Sequence, residues 1–196
     1  PITPVAAPPH VFDTTTNEFI AATGEDYTGP VAGLQHEYII NTSHDNLNVT
    51  ASTPNWFIHT GSGDDAIAVS SGTNVLDGGT GSNFLTGGSG TDVFFVDDRL
   101  PGANIWSTVV GFHSGDDATI FGVTANDFHL AWLDNQGAAS AQGLTGGFTA
   151  NGQPTANITL AGYSAADLGT KLSITFGKTT DTPGLPGSVY MNIHGN

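Results

Sequence analysis

Residues 60–95 divide into four consecutive units of nine: TGSGDDAIA, VSSGTNVLD, GGTGSNFLT and GGSGTDVFF. The fourth position is glycine in every unit (Gly63, Gly72, Gly81, Gly90) and the sixth is Asp or Asn (Asp65, Asn74, Asn83, Asp92). The eighth is a large apolar residue each time (Ile67, Leu76, Leu85, Phe94). A fixed period of this kind marks a stack of like units, each too small to bury a core alone. Each unit reads as a glycine-rich half that turns the chain, since glycine accepts positive φ, and then a short strand with its eighth residue inward. Two units make one flattened coil of 18 residues, with corners alternating between two edges. That spacing predicts Asp65 near Asn83, Asn74 near Asp92, and a thin core of the four apolar residues.

Composition agrees with an all-β chain. The 196 residues include 27 Gly, about twice the usual share, and 10 Pro, which favours turns over long helices. Three basic residues (Arg99, Lys171, Lys178) face 18 acidic ones, a formal charge of -15. Such a surface disfavours nucleic acid and anionic membranes and attracts cations; a merely solubilising acidic surface is the plainer reading. Apart from Glu18, Glu25 and Glu37 every acid is Asp, the short carboxylate suited to turns and to metal loops. There is no Cys, so disulfides cannot staple the fold, and a bound metal would serve instead. No apolar run approaches the ~18 residues of a membrane span. The opening PITPVAAPPH reads as a Pro-rich linker over 1–12, from which we expect an upstream domain in a longer chain.

The nine-residue units resemble the RTX (repeat-in-toxin, haemolysin-type) family, whose pattern is G-G-x-G-x-D-x-U-x with U large and apolar. The resemblance covers about a fifth of the chain. It implies Ca²⁺ between stacked corners, held by the sixth-position side chains Asp65, Asn83, Asn74 and Asp92. Backbone carbonyls of Gly61, Gly63, Gly72, Gly79, Gly81, Gly88 and Gly90 would complete the set, and Asp64 is a supplementary ligand. Two departures stand out: Asn replaces Asp in the two middle units, and VSSGTN keeps one of three glycines. Fewer carboxylates imply weaker calcium binding; the competing expectation is a roll that folds without metal through Asn ladders. Upstream, Asn46 and Asn55 continue the period with a one-residue slip at Asp65, which predicts a roll starting near residue 43 with metal-free corners there.

Residues 91–122 resemble the segment that closes many RTX modules, on Asp92–Phe94 and Gly111–Ile120, with Gly115, Asp116 and Asp117 at an acidic turn. Asp116 and Asp117 are therefore further candidate ligands. A cap is physically required, because an open roll end exposes unpaired backbone. Candidate strands follow at Phe128–Leu133, Leu144–Ala150, Ala156–Leu160, Leu172–Phe176 and Val189–Ile193, with Ser164 as N-cap of one helical turn. The expected fold is thus a parallel β-roll over 13–95, with its repeats at 60–95, continuing into an antiparallel β-sandwich-like cap over 96–196.

Catalytic signals are weak. The seven His residues include no i, i+4 pair and no HExxH, so zinc spacing is absent. His36-Glu37 is a lone dipeptide, and His113-Ser114 near Asp116 lacks a nucleophile elbow. Asp97-Asp98 reads as the end of a strand. Trp56, Trp106 and Trp132, with Tyr27, Tyr38, Tyr163 and Tyr190, suit either core packing or a sugar-stacking platform. The reading is therefore a secreted, non-catalytic calcium-binding module, with export by a type I secretion apparatus implied by the resemblance. Its calcium-driven folding would assist export and stability of a larger extracellular protein. The alternative is a carbohydrate-binding or adhesive module that takes polysaccharide and uses calcium only structurally.

Overall fold

The computed structural model describes residues 10–13, 18–19, 31–40, 46–97, 104–124, 132–148, 156–179 and 189–196. Its strands are β1 (His10–Asp13), β2 (Glu18–Phe19), β3 (His36–Ile39), β4 (Leu47–Ala51), β5 (Trp56–His59), β6 (Ala66–Val69), β7 (Ser71–Asp77) and β8 (Gly81–Thr86). They continue as β9 (Ser89–Asp97), β10 (Ile105–Val110), β11 (Asp117–Phe121), β12 (Leu133–Gln136), β13 (Gly143–Phe148), β14 (Ala156–Ala161), β15 (Leu172–Lys178) and β16 (Val189–Gly195). From β3 to β11 successive strands fall alternately in two sheets. One runs β2-β1-β4-β6-β8-β10-β14-β13-β12, the other β3-β5-β7-β9-β11-β16-β15. All pairs among β3 to β11 are parallel, as a coil that returns to the same sheet each turn requires. The fold is a parallel β-roll closed by antiparallel strands.

Strands alternate between the interior and the outside, most plainly in β4, where Leu47, Val49 and Ala51 are buried and Asn48 and Thr50 exposed. The eighth-position residues align as the repeat requires. In the first sheet Val49, Ile67, Leu85, Val109, Leu160 and Leu144 stand side by side across six strands. In the second, Tyr38, Ile58, Leu76, Phe94, Ala118 and Ile193 do the same. All twelve are buried. Each large one contributes about 1.5–3 kcal/mol of transfer free energy, and together they form the seam along which the two sheets meet.

The coil period differs from the sequence expectation in two places. No slip occurs at Asp65: Asn48 pairs with Ala66 and Phe57 with Val75, so the offset of 18 already holds before the repeats. Parallel pairing starts earlier still, with β3 on β5, and not near residue 43. The apolar Leu47 and Trp56 occupy the sixth position, while Asn46 and Asn55 are one residue earlier, on the outer side. Past the repeats, β10 pairs with β8 and β11 with β9 at an offset of 24. Six extra residues are thus absorbed between β9 and β10 without loss of sheet alternation.

The chain reverses direction in both sheets at the far end of the roll and, among the described residues, in the first sheet alone at the near end, where β3 is the edge strand of the second. β1 lies antiparallel on β4 and carries β2, so His10–Phe12, expected as linker, belong to a strand. At the far end β14 joins β10 in parallel and β13 and β12 fold back antiparallel, while β16 and β15 extend β11 antiparallel. The strands of 96–196 therefore continue the same two sheets. The expected helical turn is a 3-10 turn, Ala165–Asp167, where the Asp167 carboxylate accepts the Ser164 N–H at 2.9 Å and its hydroxyl at 3.1 Å. Residues 128–131 and 149–150, expected as parts of strands, lie outside the described residues.

Candidate functional site

The sixth-position side chains form two buried polar rows inside the roll. At one edge Asp65 Oδ1 accepts the Leu47 N–H at 2.8 Å, and Asn83 Oδ1 accepts the Asp65 N–H at 3.1 Å. At the other edge Asn74 Oδ1 accepts the Trp56 N–H at 3.0 Å, the Asn74 amide donates to Asp92 Oδ1 at 2.7 Å, and Asp116 Oδ1 accepts the Asp92 N–H at 2.8 Å. Asp65, Asn74, Asn83, Asp92 and Asp116 are all buried, none above 3% exposed. Each rung ties one coil to the next through a side-chain oxygen that receives a backbone or amide hydrogen. The expected neighbours, Asp65 with Asn83 and Asn74 with Asp92, are in hydrogen-bond contact.

A second ladder runs one position earlier, on the outside. Asn46 Oδ1 accepts the Asp64 N–H at 2.8 Å, Asp64 Oδ1 the Ser82 N–H at 2.9 Å, and Asn55 Oδ1 the Thr73 N–H at 2.9 Å. Asp64 is exposed while Asp65 is buried, as the alternation of an extended chain dictates. The pair therefore does not converge on one point. Asp116 and Asp117 part in the same way: Asp117 Oδ1 accepts the Asn192 amide at 2.6 Å and meets His194 Nδ1 at 2.9 Å. The side chain of Asp97 and all of Asp98 lie outside the described residues.

The glycine corners are packed too tightly for any other residue. Gly79 (φ +67°) and Gly81 (φ +101°) sit against the previous corner, where a Cβ would come within 1.8 Å of the Gly61 carbonyl oxygen and 1.9 Å of the Gly63 carbonyl oxygen. Those corners are already joined by backbone: Thr80 N–H donates to Gly61 O at 2.9 Å, and Gly63 N–H to Thr80 O at 3.3 Å. At the other edge Gly72 and Gly90 pair within β7 and β9, and Gly88 N–H donates to Asp92 Oδ2 at 2.7 Å.

The two edges differ in what they leave unused. Both oxygens of Asp92 have protein donors, and so do both of Asp116, whose Oδ2 accepts the His113 N–H at 3.0 Å. At the first edge Asp65 Oδ2 and the Thr60 hydroxyl are buried without a well-formed hydrogen bond, although the hydroxyl lies close enough to the carboxylate to favour its charged form. An orphaned buried carboxylate oxygen is costly. Burial pushes the Asp65 pKa up to about 6; the Leu47 N–H and the nearby Thr60 hydroxyl oppose this, and the charge of Asp64 adds to it. Burial likewise raises Asp116, against the N–H groups of Asp92 and His113 and the His113 ring.

Next to Asp65 lies a pair that no motif in the sequence points to. His59 Nδ1 is 2.7 Å from Asp77 Oδ2, and Gly79 N–H donates to Asp77 Oδ1 at 2.8 Å. Burial disfavours charging His59, yet the hydrogen bond and charge of Asp77, aided by the charge of Asp65, hold its pKa above the usual 6.5. The one signal in the sequence is spacing, since residues 59 and 77 are one coil apart. Among the described residues no three His, Asp or Glu side chains come together as a metal-binding group, so a cation at this edge would also need carbonyl or hydroxyl oxygens.

The remaining histidines and aromatics have mainly packing roles. The His36 ring lies 4.8 Å from that of Trp56, and His113 Nε2 is 3.2 Å from the Gly88 carbonyl oxygen. Trp56 and Tyr38 are core residues, and Tyr163 donates to Phe112 O at 3.1 Å. Trp106 is the exception, 37% exposed. His44, His129 and Tyr27 lie outside the described residues, and among the described residues no helix is long and apolar enough to cross a membrane.

Together these features define a parallel β-roll with polar rungs at its corners. No protein-family model matches the chain, and no curated protein matches it.

Proposed function

We propose that this chain is a secreted, non-catalytic calcium-binding module of RTX type, a roll that calcium completes outside the cell within a larger exported protein. The observation that carries the reading is the corner at Asp65. There a buried carboxylate oxygen and the buried Thr60 hydroxyl near it both lack a well-formed hydrogen bond, beside a glycine corner where the Gly61 and Gly63 carbonyl oxygens face Gly79 and Gly81 of the next coil. A hard cation takes carboxylate, hydroxyl and carbonyl oxygens together. It would also offset part of the -15 charge that opposes compaction. Asp65 and Thr60 would hold the ion with carbonyls of Gly61, Gly63, Gly79 and Gly81. At the other edge no ion is assigned to Asn74, Asp92 and Asp116, whose polar rungs close on protein donors.

The test is a calcium titration of chelator-treated protein, followed by circular dichroism and by melting temperature, on the wild type and on Asp65→Asn. We expect calcium to raise both the β signal and the melting temperature of the wild type, and to do much less for the variant. A wild type indifferent to calcium in both readouts would end the proposal.

A further inference from the structure

The outer face of the first sheet carries a groove of about 310 Å³ beside the last parallel coil, lined by Gly81, Ser82, Asn104, Ile105, Trp106 and Asn157. Its centre is a row set by strand register: Ser82 on β8, Trp106 on β10 and Asn157 on β14 are direct neighbours. The indole is held by its own polar atom, since Nε1–H donates to Thr159 Oγ1 at 3.0 Å. Thr159 is buried and meets Thr145 Oγ1 at 2.7 Å, so the ring is tied through its edge to the neighbouring strand β14.

We propose that this groove is a binding subsite for a neutral hexopyranose unit of a polysaccharide. A pyranose has an apolar C–H face that packs on an aromatic ring and a rim of hydroxyls that need donors and acceptors. The groove offers both: a fixed, exposed indole, with a serine hydroxyl and two asparagine amides around it. None of its six lining residues is charged, although the chain bears a net charge of -15. That balance selects against anionic polymers, and among the described residues that line the groove no carboxylate offers a cationic ligand a partner. The subsite adjoins the Asp65 corner, sharing Gly81 with it, while its indole and Asn157 stand on strands that take no part in that corner.

The experiment is a pull-down of the whole chain on insoluble cellulose, chitin and starch, with pectate as an anionic control, in calcium and in chelator. Circular dichroism checks the fold of each variant. We expect retention on at least one neutral polymer, and about tenfold weaker retention for Trp106→Ala, the loss of one stacking partner. Trp106→Phe keeps a ring and should fall between, and Asn157→Ala, which leaves the ring and its anchor in place, should also weaken retention. Absence of retention on all three neutral polymers, retention on pectate alone, or equal retention of Trp106→Ala and wild type would each overturn the proposal.

Discussion

The Asn74 amide donates to Asp92 Oδ1 across 2.7 Å, and the same side chain accepts the Trp56 N–H at 3.0 Å. One asparagine thus links three successive coils, in an interior where Asn74 and Asp92 are both fully buried. Removal of the amide strands an acceptor and a donor at once. Asn74→Ala should therefore cost about 2–4 kcal/mol in urea unfolding. Asn74→Asp should also destabilise at neutral pH, by setting two carboxylates in contact, and should recover part of that loss in acid; a variant equally unstable at both pH values would show that charge is not the cause.

Asp65 gives a pH dependence of definite sign. Its folded pKa of about 6 stands above the ordinary 3.8, so the folded chain holds the proton more tightly than the unfolded one. The contribution favours folding below about pH 4 and is lost as the pH rises through 6. Asp65→Asn keeps an acceptor for Leu47 N–H and removes the charge. In calcium-free buffer it should add about 1–2 kcal/mol at pH 7 and flatten the fall between pH 4 and 6. Urea unfolding across that range is the measurement, and parallel curves for the two proteins would contradict it.

His59 has the opposite dependence on charge. Its pKa is raised above 6.5, because Asp77 outweighs burial, so the pair stabilises the fold below the unfolded value and that stabilisation fades as the pH climbs through the folded one. Asp77→Asn should lower the His59 pKa in a ring-proton NMR titration. It should cost more stability at about pH 5.5 than at about pH 8.

Two glycines with similar φ separate crowding from conformation. Gly79 (φ +67°) faces the Gly61 carbonyl oxygen, whereas Gly162 (φ +81°) has nothing within 4 Å of the place an alanine methyl would take. Gly162→Ala should cost about 1–2 kcal/mol, the left-handed backbone alone. Gly79→Ala adds the clash and should cost at least about 3 kcal/mol. Equal melting temperatures for the two variants would mean that the corners can move apart.

The repeat makes much of this fold legible. Its fourth, sixth and eighth positions, each constant in residue type, define the 18-residue coil, the inward Ile67, Leu76, Leu85 and Phe94, and the contacts of Asp65 with Asn83 and Asn74 with Asp92. The phase before the repeats is obscured because apolar Leu47 and Trp56 fill the sixth position there. Asn46 and Asn55, which imitate it by residue type, belong to the outer ladder with Asp64 and Thr73. The candidate site is harder to read. A corner that grips an ion and a corner that grips the backbone of the next coil both use Asp, Asn and Gly. Only the hydrogen-bond partners distinguish Asp92, with both oxygens engaged, from Asp65, with one orphaned. His59 and Asp77 are silent in the sequence because neither sits at a repeat position that carries a motif.

Every inner rung joins residues one full turn apart, which sets the step by which such a chain could lengthen or shorten. Duplication of two adjacent units would slide the remaining turns along the axis and reproduce each bond. Duplication of a single unit would transfer all later strands to the opposite sheet, exchanging the Asp65 edge for the Asn74 edge and leaving the closing hairpins on the wrong sides. Growth in this architecture is therefore quantised in pairs, whereas the connection between β9 and β10, which already holds six surplus residues, marks where irregular lengths are absorbed.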